Sequence, residues 1–310
     1  MTWVLARLRV GAPVSLSGRY AVQGAAVRAG LEAWARERGA ELVLRDDRSS
    51  PRVAARLHGQ LAARCRFVVG PYGSDSTRAV AAASAGSVVW NQGAAADDVQ
   101  RRPGVVSVPS PASGYLVALG QAVARLRPQA AVRLLTAPGR FAAWGRRGLE
   151  ATAPRMGLCL VTDLAEADAL LVCGPVRWEL EQIRSLRRPG LLIGGISPGL
   201  ARFPHLLGDD PEGLLAPVQW HPDLRFQPRL GPPAVRLPDY PAAQAYAACL
   251  IADHCLGLEP DNPLAAAKQL DTVTFFGGFR LATDGLQIGH QLAVIHWHDH
   301  KQQLISPHAP

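Results

Sequence analysis

Short apolar segments alternate with amphipathic ones along the first 90 residues of the chain. The amphipathic segments carry apolar residues at helical spacing, for example Val27, Leu31 and Trp34 on one side of the first. Strands are predicted at residues 4–10, 40–45, 67–70 and 87–90, and helices at 24–38, 51–65 and 76–85. Such alternation is typical of a parallel sheet covered by helices on both faces.

A segment rich in proline, serine and valine at residues 101–113 interrupts this series, and a second series follows it. The second series predicts helices at 115–126, 144–153 and 178–186 and strands at 131–135, 158–162, 169–173 and 191–194. Two successive series of alternating strands and helices indicate an α/β fold with two similar lobes.

The last third of the chain resembles neither series. A proline-dense, irregular linker is expected at 214–238, followed by a helix at 241–256 and another that begins at Pro263. A hairpin at 272–288 is predicted to turn at Asp284-Gly285, and a last strand is predicted at 291–300. These late elements are expected to return to complete both lobes.

Composition narrows the class of protein. The chain has 310 residues, a length typical of about two domains. Because 48% of the residues are hydrophobic, the chain can form globular cores. No stretch approaches the ~18 uncharged apolar residues that a membrane span needs, which predicts no membrane insertion. The net charge of +8 comes almost entirely from arginine. Because the arginines are scattered and match no nucleic-acid-binding motif, no nucleic-acid partner is expected.

The cysteines and the N-terminal residues give information about the cellular compartment of the protein. Five cysteines, an odd number without a CxxC pair, exclude a complete disulfide framework and show no metal-type spacing. The first ten residues lack the apolar region and cleavage site of a signal peptide. The expectation is a cytoplasmic protein if Met1 is the native start, and a periplasmic or extracellular one if a signal was removed.

Three loops follow predicted strands and carry small or hydroxyl residues. They span residues 11–18, 70–77 and 91–95. Carboxyl ends of strands are where open α/β sheets bind ligands, and N–H groups at a helix start suit an anion such as a carboxylate. For the first two loops, an ordinary turn or helix cap is as good an explanation as a ligand site.

Two patterns could indicate chemistry. Residues 195–199 spell GxSxG around Ser197, but Pro198 lacks the N–H that a hydrolase oxyanion hole needs at this position. His296, His298 and His300 alternate and would share one face of a strand, which makes them metal candidates; a polar strand face is favoured over a metal site. Since no nucleophile, base and orienting residue form a pattern, the sequence predicts a non-catalytic binding protein without a cofactor.

Several motifs in order resemble the type I periplasmic solute-binding proteins, most nearly the branched-chain amino-acid group of ABC importers. They are residues 10–13, Ser17-Gly18, Gly24, Asp46-Asp47 with Pro51, 70–74, Trp144-Gly145, Gly148-Leu149, 213–215, Gly277, Asp284-Gly285 and 294–297. The resemblance implies two doubly wound parallel-sheet lobes joined by three crossings, which enclose a ligand by hinge closure. The lobes would comprise residues 1–110 plus 222–288, and 111–221 plus 289–310. A monomer that delivers a small molecule to an ABC permease is implied.

The resemblance also implies a site. Ser74, with Ser76 nearby, would hold the ligand's carboxylate together with the loop of Gly93 and Ala95, while Ala95 and Ile196 replace residues that usually bind an ammonium group. Because a buried ammonium without a partner is costly, we expect a less polar solute, an aliphatic or aromatic carboxylate or an amide. The full set of expected ligand contacts is Ser17, Gln23, Tyr72, Ser74, Ser76, Asn91, Gly93, Ala95, Phe141, Trp144, Pro175 and Ile196.

Two other functions stay open from the sequence. One is a cytoplasmic ligand sensor of the same fold, similar to amide-responsive regulators. The other is an α/β hydrolytic enzyme that uses Ser74, Ser197 or the histidine cluster. A signal sequence encoded upstream would distinguish the receptor from the sensor.

Overall fold

The structure, a computed structural model, describes residues 8–84, 86–231 and 233–305. Up to residue 110 the elements are β1 (Arg9–Val14), α1 (Ala21–Arg38), β2 (Glu41–Asp46), α2 (Pro51–Ala62), β3 (Phe67–Val68), α3 (Ser74–Ala83), β4 (Val89–Asn91), α4 (Asp97–Gln100) and β5 (Val105–Ser107). There follow α5 (Ser113–Leu126), β6 (Ala131–Thr136), α6 (Arg140–Thr152), β7 (Cys159–Val161), β8 (Ala169–Cys173), α7 (Val176–Leu186), β9 (Leu192–Gly195), α8 (Phe203–Leu207) and β10 (Leu215–Val218). The last are α9 (Tyr240–Leu258), α10 (Pro263–Gln269), β11 (Thr272–Thr274), β12 (Gly277–Phe279), β13 (Ala293–His298) and β14 (Lys301–Leu304).

The chain divides into two compact units. Unit 1 comprises Met1–Ser110 and Arg225–His290, and unit 2 comprises Pro111–Leu224 and Gln291–Pro310. The sequence placed the corresponding boundaries after residues 110, 221 and 288. Every helix among the described residues is too short or too polar to span a bilayer.

Unit 1 is built on parallel strands. β2, β1 and β3 form one sheet in that order, and β4 and β5 form another. Parallel bridges from Val69 to Trp90 and from Tyr72 to Gly93 connect the segment after β3 with β4 and the loop after it. α1 packs closely on the alanine-rich α9, which is buried on nearly all sides. A Cβ at Gly30 of α1 would lie 2.1 Å from the carbonyl oxygen of Ala242, so only glycine permits this approach of the two helices.

Unit 2 has one seven-stranded sheet in the order β14-β13-β10-β9-β8-β6-β7. The strands from β10 to β7 are parallel, whereas β13 and β14 are antiparallel to their neighbours. β8, the middle one of the five parallel strands, is fully buried, with Leu171 in the hydrophobic core on one face and Leu170 in the core on the other. Burial on both faces explains why this strand is a continuous apolar run.

Three sequence predictions need correction in the C-terminal third. The expected linker at 214–238 contains β10, a strand that pairs with β13 and β9 although it includes Pro217. The ladder of β11 and β12 turns at Phe275 and Phe276; Asp284 and Gly285 form a separate turn closed by a bridge from Leu281 to Gln287. The expected last strand is a hairpin of β13 and β14. The first predicted strand, at 4–10, lies partly outside the described residues.

Candidate functional site

The loop after β1 is held by an aspartate of the neighbouring strand β2. One carboxylate oxygen of Asp46 accepts the backbone N–H groups of Leu16, Ser17 and Arg48, and the other accepts the Ser17 hydroxyl at 2.7 Å. Partial burial alone would raise the pKa of Asp46, but these hydrogen bonds outweigh it and the pKa is lowered. The predicted contact Ser17 therefore donates its hydroxyl to Asp46 of β2, and this bond helps to hold the loop in shape.

Asp46→Ala should loosen this loop without unfolding the protein. Four hydrogen bonds lose their acceptor, but all lie at the exposed surface. Amide hydrogen exchange at Leu16, Ser17 and Arg48 should accelerate about tenfold, since such local openings are governed by a few surface hydrogen bonds. Asp163→Ala, which removes the acceptor of another exposed backbone N–H, is the control and should leave these amides unchanged.

The loops after β3 and β4 are joined to one another. The N–H of Gly73 donates to the carbonyl of Gly93 (3.1 Å), and the N–H of Ala96 donates to the Ser74 hydroxyl oxygen (3.2 Å). Because Ser74 accepts this bond, its own proton can be donated elsewhere. Ser74 also begins α3, whose first N–H groups have no acceptor within the helix and no side-chain cap. Half-buried Ser74 thus combines a hydroxyl donor with an uncapped helix start.

Two other predicted contacts lie inside unit 1. Asn91 is fully buried and uses all of its amide: Nδ2 donates to the carbonyl of Ala94 and to Ser107, and Oδ1 accepts from the N–H groups of Gly93 and Ala94. Ser76 is 1% exposed, and its hydroxyl has no hydrogen-bond partner among the described residues. These placements assign Asn91 to shaping the loop of residues 93–95, and they show that Ser76 is buried in α3.

Three tyrosines from separate segments meet beside these loops. The rings of Tyr20 and Tyr72 are edge to face with centroids 5.4 Å apart, and the hydroxyls of Tyr72 and Tyr240 are 3.0 Å apart. Burial raises the pKa of Tyr240, so its hydroxyl stays neutral. Only Tyr72 was expected from the sequence. Tyr240 is 168 residues away along the chain, and no local pattern connects the two.

Gln23, in the first turn of α1, places a buried acceptor in unit 1. Its Oε1 atom has no hydrogen-bond partner among the described residues. A buried amide oxygen without a donor costs free energy, so a bound group that donates to it would be favoured. Gln23 therefore stays a candidate contact.

The predicted contacts of unit 2 follow three adjacent strands, β6, β8 and β9. Phe141 in α6 packs edge to face on Tyr115 (5.1 Å), and half-buried Trp144 lies under the guanidinium of Arg147 (5.2 Å). Pro175 is exposed at the start of α7, and half-buried Ile196 packs against the core. All four lie where the carboxyl ends of these strands meet, which is the binding edge of a parallel sheet.

A buried carboxylate that the sequence did not single out lies behind Pro175 and Ile196. Glu179 of α7 is 0% exposed; Oε1 accepts the N–H of Gly174 (2.8 Å) and Oε2 accepts that of Ser197 (2.7 Å). Burial raises its pKa to about 7. In the sequence it lies among other charged residues of an amphipathic helix, which indicates a solvent-exposed side chain.

The structure gives no support for a hydrolase at Ser197. This serine is 4% exposed, its N–H is bonded to Glu179, and Pro198 has no N–H to offer. Among the described residues, no histidine is hydrogen-bonded to Ser197 or to Ser74. The elements of an activated serine are thus not assembled there.

The histidine cluster is corrected as well. His296 and His298 lie on one face of β13, but His300 lies in the turn before β14 with a φ of 57°, so the alternation ends. His298 bonds to Glu212 at 2.7 Å, which raises the pKa of His298. No group of three potential metal ligands occurs among the described residues.

A cavity of about 470 Å³ in unit 1 lies away from these loops. It is bounded by β2 and the end of α2, and the residues that line it include Arg9, Arg45, Arg64, Leu61 and Cys65. Arg9 is paired with Glu41. None of the predicted contacts lines this cavity.

The fold matches solved structures over nearly the whole chain. LivJ from Streptococcus pneumoniae in complex with isoleucine is 16% identical, covers 97% of this chain and 100% of its own, and has a TM-score of 0.76. The leucine-binding protein LivK from Thermotoga maritima is 16% identical over 96% and 98% of the two chains, with a TM-score of 0.75. A solute-binding protein of an ABC transporter from R. palustris, in complex with 4-hydroxybenzoate, is 17% identical over 97% and 96%, with a TM-score of 0.77.

No protein-family model matches the chain, and no curated protein is significantly similar to it. At identities of 16 to 17%, the structural matches establish the fold. The chain has the α/β fold of type I periplasmic solute-binding proteins, and the predicted fold class is confirmed.

Proposed function

We propose that the chain is a non-catalytic receptor that binds a small organic carboxylate or amide at the carboxyl ends of its strands. The observation that carries the proposal is the pair of joined loops in unit 1, where Ser74 presents a hydroxyl at the uncapped start of α3. Uncapped N–H groups and a hydroxyl are hydrogen-bond donors, and a carboxylate accepts hydrogen bonds from such groups. Isoleucine and 4-hydroxybenzoate, bound by two structurally similar proteins, both carry a carboxylate.

The remainder of the ligand is expected to be less polar than an amino acid. Ile196 and Ala95 stand where the resembled family places partners for an ammonium group, and neither side chain can hydrogen-bond. An ammonium group buried at either residue would lose its hydration without compensation. Trp144 offers a partly exposed aromatic surface, and Gln23 offers an unpartnered oxygen to a hydroxyl or amide donor. These features favour an aromatic or aliphatic carboxylate or an amide.

The biological setting follows from the same resemblance. As a solute-binding receptor, the protein would act as a monomer, close by a hinge on its ligand and deliver it to an ABC permease. It would then work in the periplasm or outside the cell. A signal sequence encoded upstream of this chain would support that setting.

Thermal unfolding with a panel of candidate ligands tests the proposed class. Isoleucine, 4-hydroxybenzoate, benzoate and benzamide represent amino acids, aromatic acids and amides. A ligand at about 100 times its Kd should stabilise the protein by ~2.7 kcal/mol. We expect a response to the aromatic acids or the amide. Tight binding of isoleucine alone would contradict the less polar ligand.

Ser74→Ala should weaken binding of the responding acid by about tenfold, because a hydrogen bond to a charged group is lost. The Kd is measured by isothermal titration calorimetry. Ser185→Ala is the control, since the Ser185 hydroxyl bonds only to a carbonyl of its own helix in unit 2. An unchanged Kd for Ser74→Ala would remove the central support for the carboxylate site.

A further inference from the structure

Glu179 connects two loops that its own helix does not contain. Gly174 follows β8 and Ser197 follows β9, and each donates its backbone N–H to a different oxygen of the same carboxylate. One side chain thus links the segments that carry Pro175 and Ile196.

Simple stabilisation does not explain a carboxylate at this position. A fully buried charge loses its hydration, and an apolar side chain of similar size often gives equal or better stability. Among the described residues, no basic side chain bonds to Glu179. Arg184 of α7 is bonded to the carbonyl oxygens of Leu206 and Leu207. The carboxylate supplies one acceptor oxygen to each of the two loops. It therefore fixes the position of one loop relative to the other.

We propose that Glu179 is a positioning residue of the ligand site, whose buried carboxylate ties the loops after β8 and β9 together and thereby sets Pro175 and Ile196 against the ligand. The inference rests on the proposed function, because it assigns ligand contacts to these loops. It concerns unit 2 only and is independent of the Ser74 hydroxyl.

The geometry makes the link sensitive to protonation. A protonated carboxyl keeps fewer acceptor positions for the two N–H groups than a carboxylate does. The pKa of Glu179 is about 7, raised by burial. Cys173 of β8 is the titratable neighbour that interacts with it, and the pKa of this buried thiol is raised, so the thiol stays neutral. The loops should therefore be held most firmly above neutral pH.

Two measurements on the full chain test the inference, with Glu179→Gln, Glu179→Asp and the control Glu181→Gln. Glu181 lies on the same helix but is exposed and pairs only with Arg177. Two-dimensional NMR should show the amides of Gly174 and Ser197 titrating together, with one apparent pKa, in the wild type and in Glu181→Gln. The shared titration should disappear in Glu179→Gln. Glu179→Asp keeps a carboxylate and serves if the glutamine variant does not fold.

Calorimetry with 4-hydroxybenzoate, or with isoleucine if only that binds, provides the functional test. We expect the wild type to bind more tightly at pH 8 than at pH 6, and Glu179→Gln to bind about tenfold more weakly at pH 8 with no such pH dependence. Wild-type affinity in Glu179→Gln, or independent titration of the two amides, would overturn the positioning role while leaving the proposed function intact. Absence of binding by the wild type to any panel ligand would overturn both.

Discussion

Replacing Gly30 with alanine should destabilise unit 1 by about 3 kcal/mol, the upper end of the usual cost of overpacking a core. The new Cβ would lie 2.1 Å from the carbonyl oxygen of Ala242. The obstructing atom belongs to the backbone of α9, so no change of rotamer relieves the contact. α1 and α9 would have to separate, which exposes apolar surface that both now bury.

Gly59→Ala provides the matched control. Gly59 also lies within a helix, α2, but it is exposed, and a Cβ there has open space around it. The substitution should stabilise the protein by about 0.5–1 kcal/mol, because alanine loses less backbone entropy than glycine. Urea unfolding of both variants checks the pair. Equal effects of the two substitutions would mean that the close approach of α1 and α9 does not exist in solution.

Glu179→Gln should remove a pH dependence of about 3 kcal/mol from the stability of unit 2. In the wild type, the pKa of Glu179 is about 7 in the folded protein, against an ordinary value of 4.5. Below 4.5 the carboxyl is protonated in both the folded and unfolded chain. As the pH rises to 7, the unfolded chain ionises more readily, so the folded state loses stability by about 3 kcal/mol. Glutamine does not titrate and escapes this loss.

The measurement is the difference in unfolding free energy between the variant and the wild type, obtained by urea unfolding at several pH values between about 4.5 and 8. Every other titrating group cancels in this difference if its environment is unchanged. The difference should shift in favour of Glu179→Gln as the pH rises. Glu181→Gln should show no such trend. Parallel pH profiles for wild type and Glu179→Gln would mean that the carboxyl is hydrated in solution.

The ionised carboxylate of Glu179 therefore lowers the stability of unit 2 while it holds the two loops in position. Above pH 7 its burial destabilises unit 2, yet in that range its two oxygens hold both loops most firmly. Such opposition is common where a protein keeps an unfavourable group for function. The two experiments on Glu179 separate these effects, since one measures unfolding and the other measures ligand affinity.

Sequence patterns predicted most strands and helices because those patterns are local. The strand at 169–173 was predicted with its exact bounds, since an uninterrupted apolar run implies burial on both faces. The same reasoning failed at β10, where proline content argued against a strand. β10 exists because β13, more than 70 residues further along the chain, pairs with it.

For the candidate site, the positions of the loops could be predicted from the sequence, but the contacts of their side chains could not. The loops that carry Ser74, Gly93 and Ile196 were located from the sequence, because each directly follows an apolar strand. Which atoms are available there depends on neighbours that are distant along the chain. Asn91 uses its amide on Ser107, and Tyr72 meets Tyr240. Such pairings are not encoded in any local pattern.

The spacing of apolar residues along the chain was enough to indicate an α/β protein with two lobes and with loops at its strand ends. This spacing is a property of neighbouring residues and can be observed in the sequence alone. The order of strands, the hairpin at the C-terminus and the buried carboxylate of Glu179 depend on which segments lie beside one another after folding. Glu179 has the sequence context of a surface glutamate. Its environment is created by Gly174 and Ser197, which become its neighbours only when β8, β9 and α7 pack together.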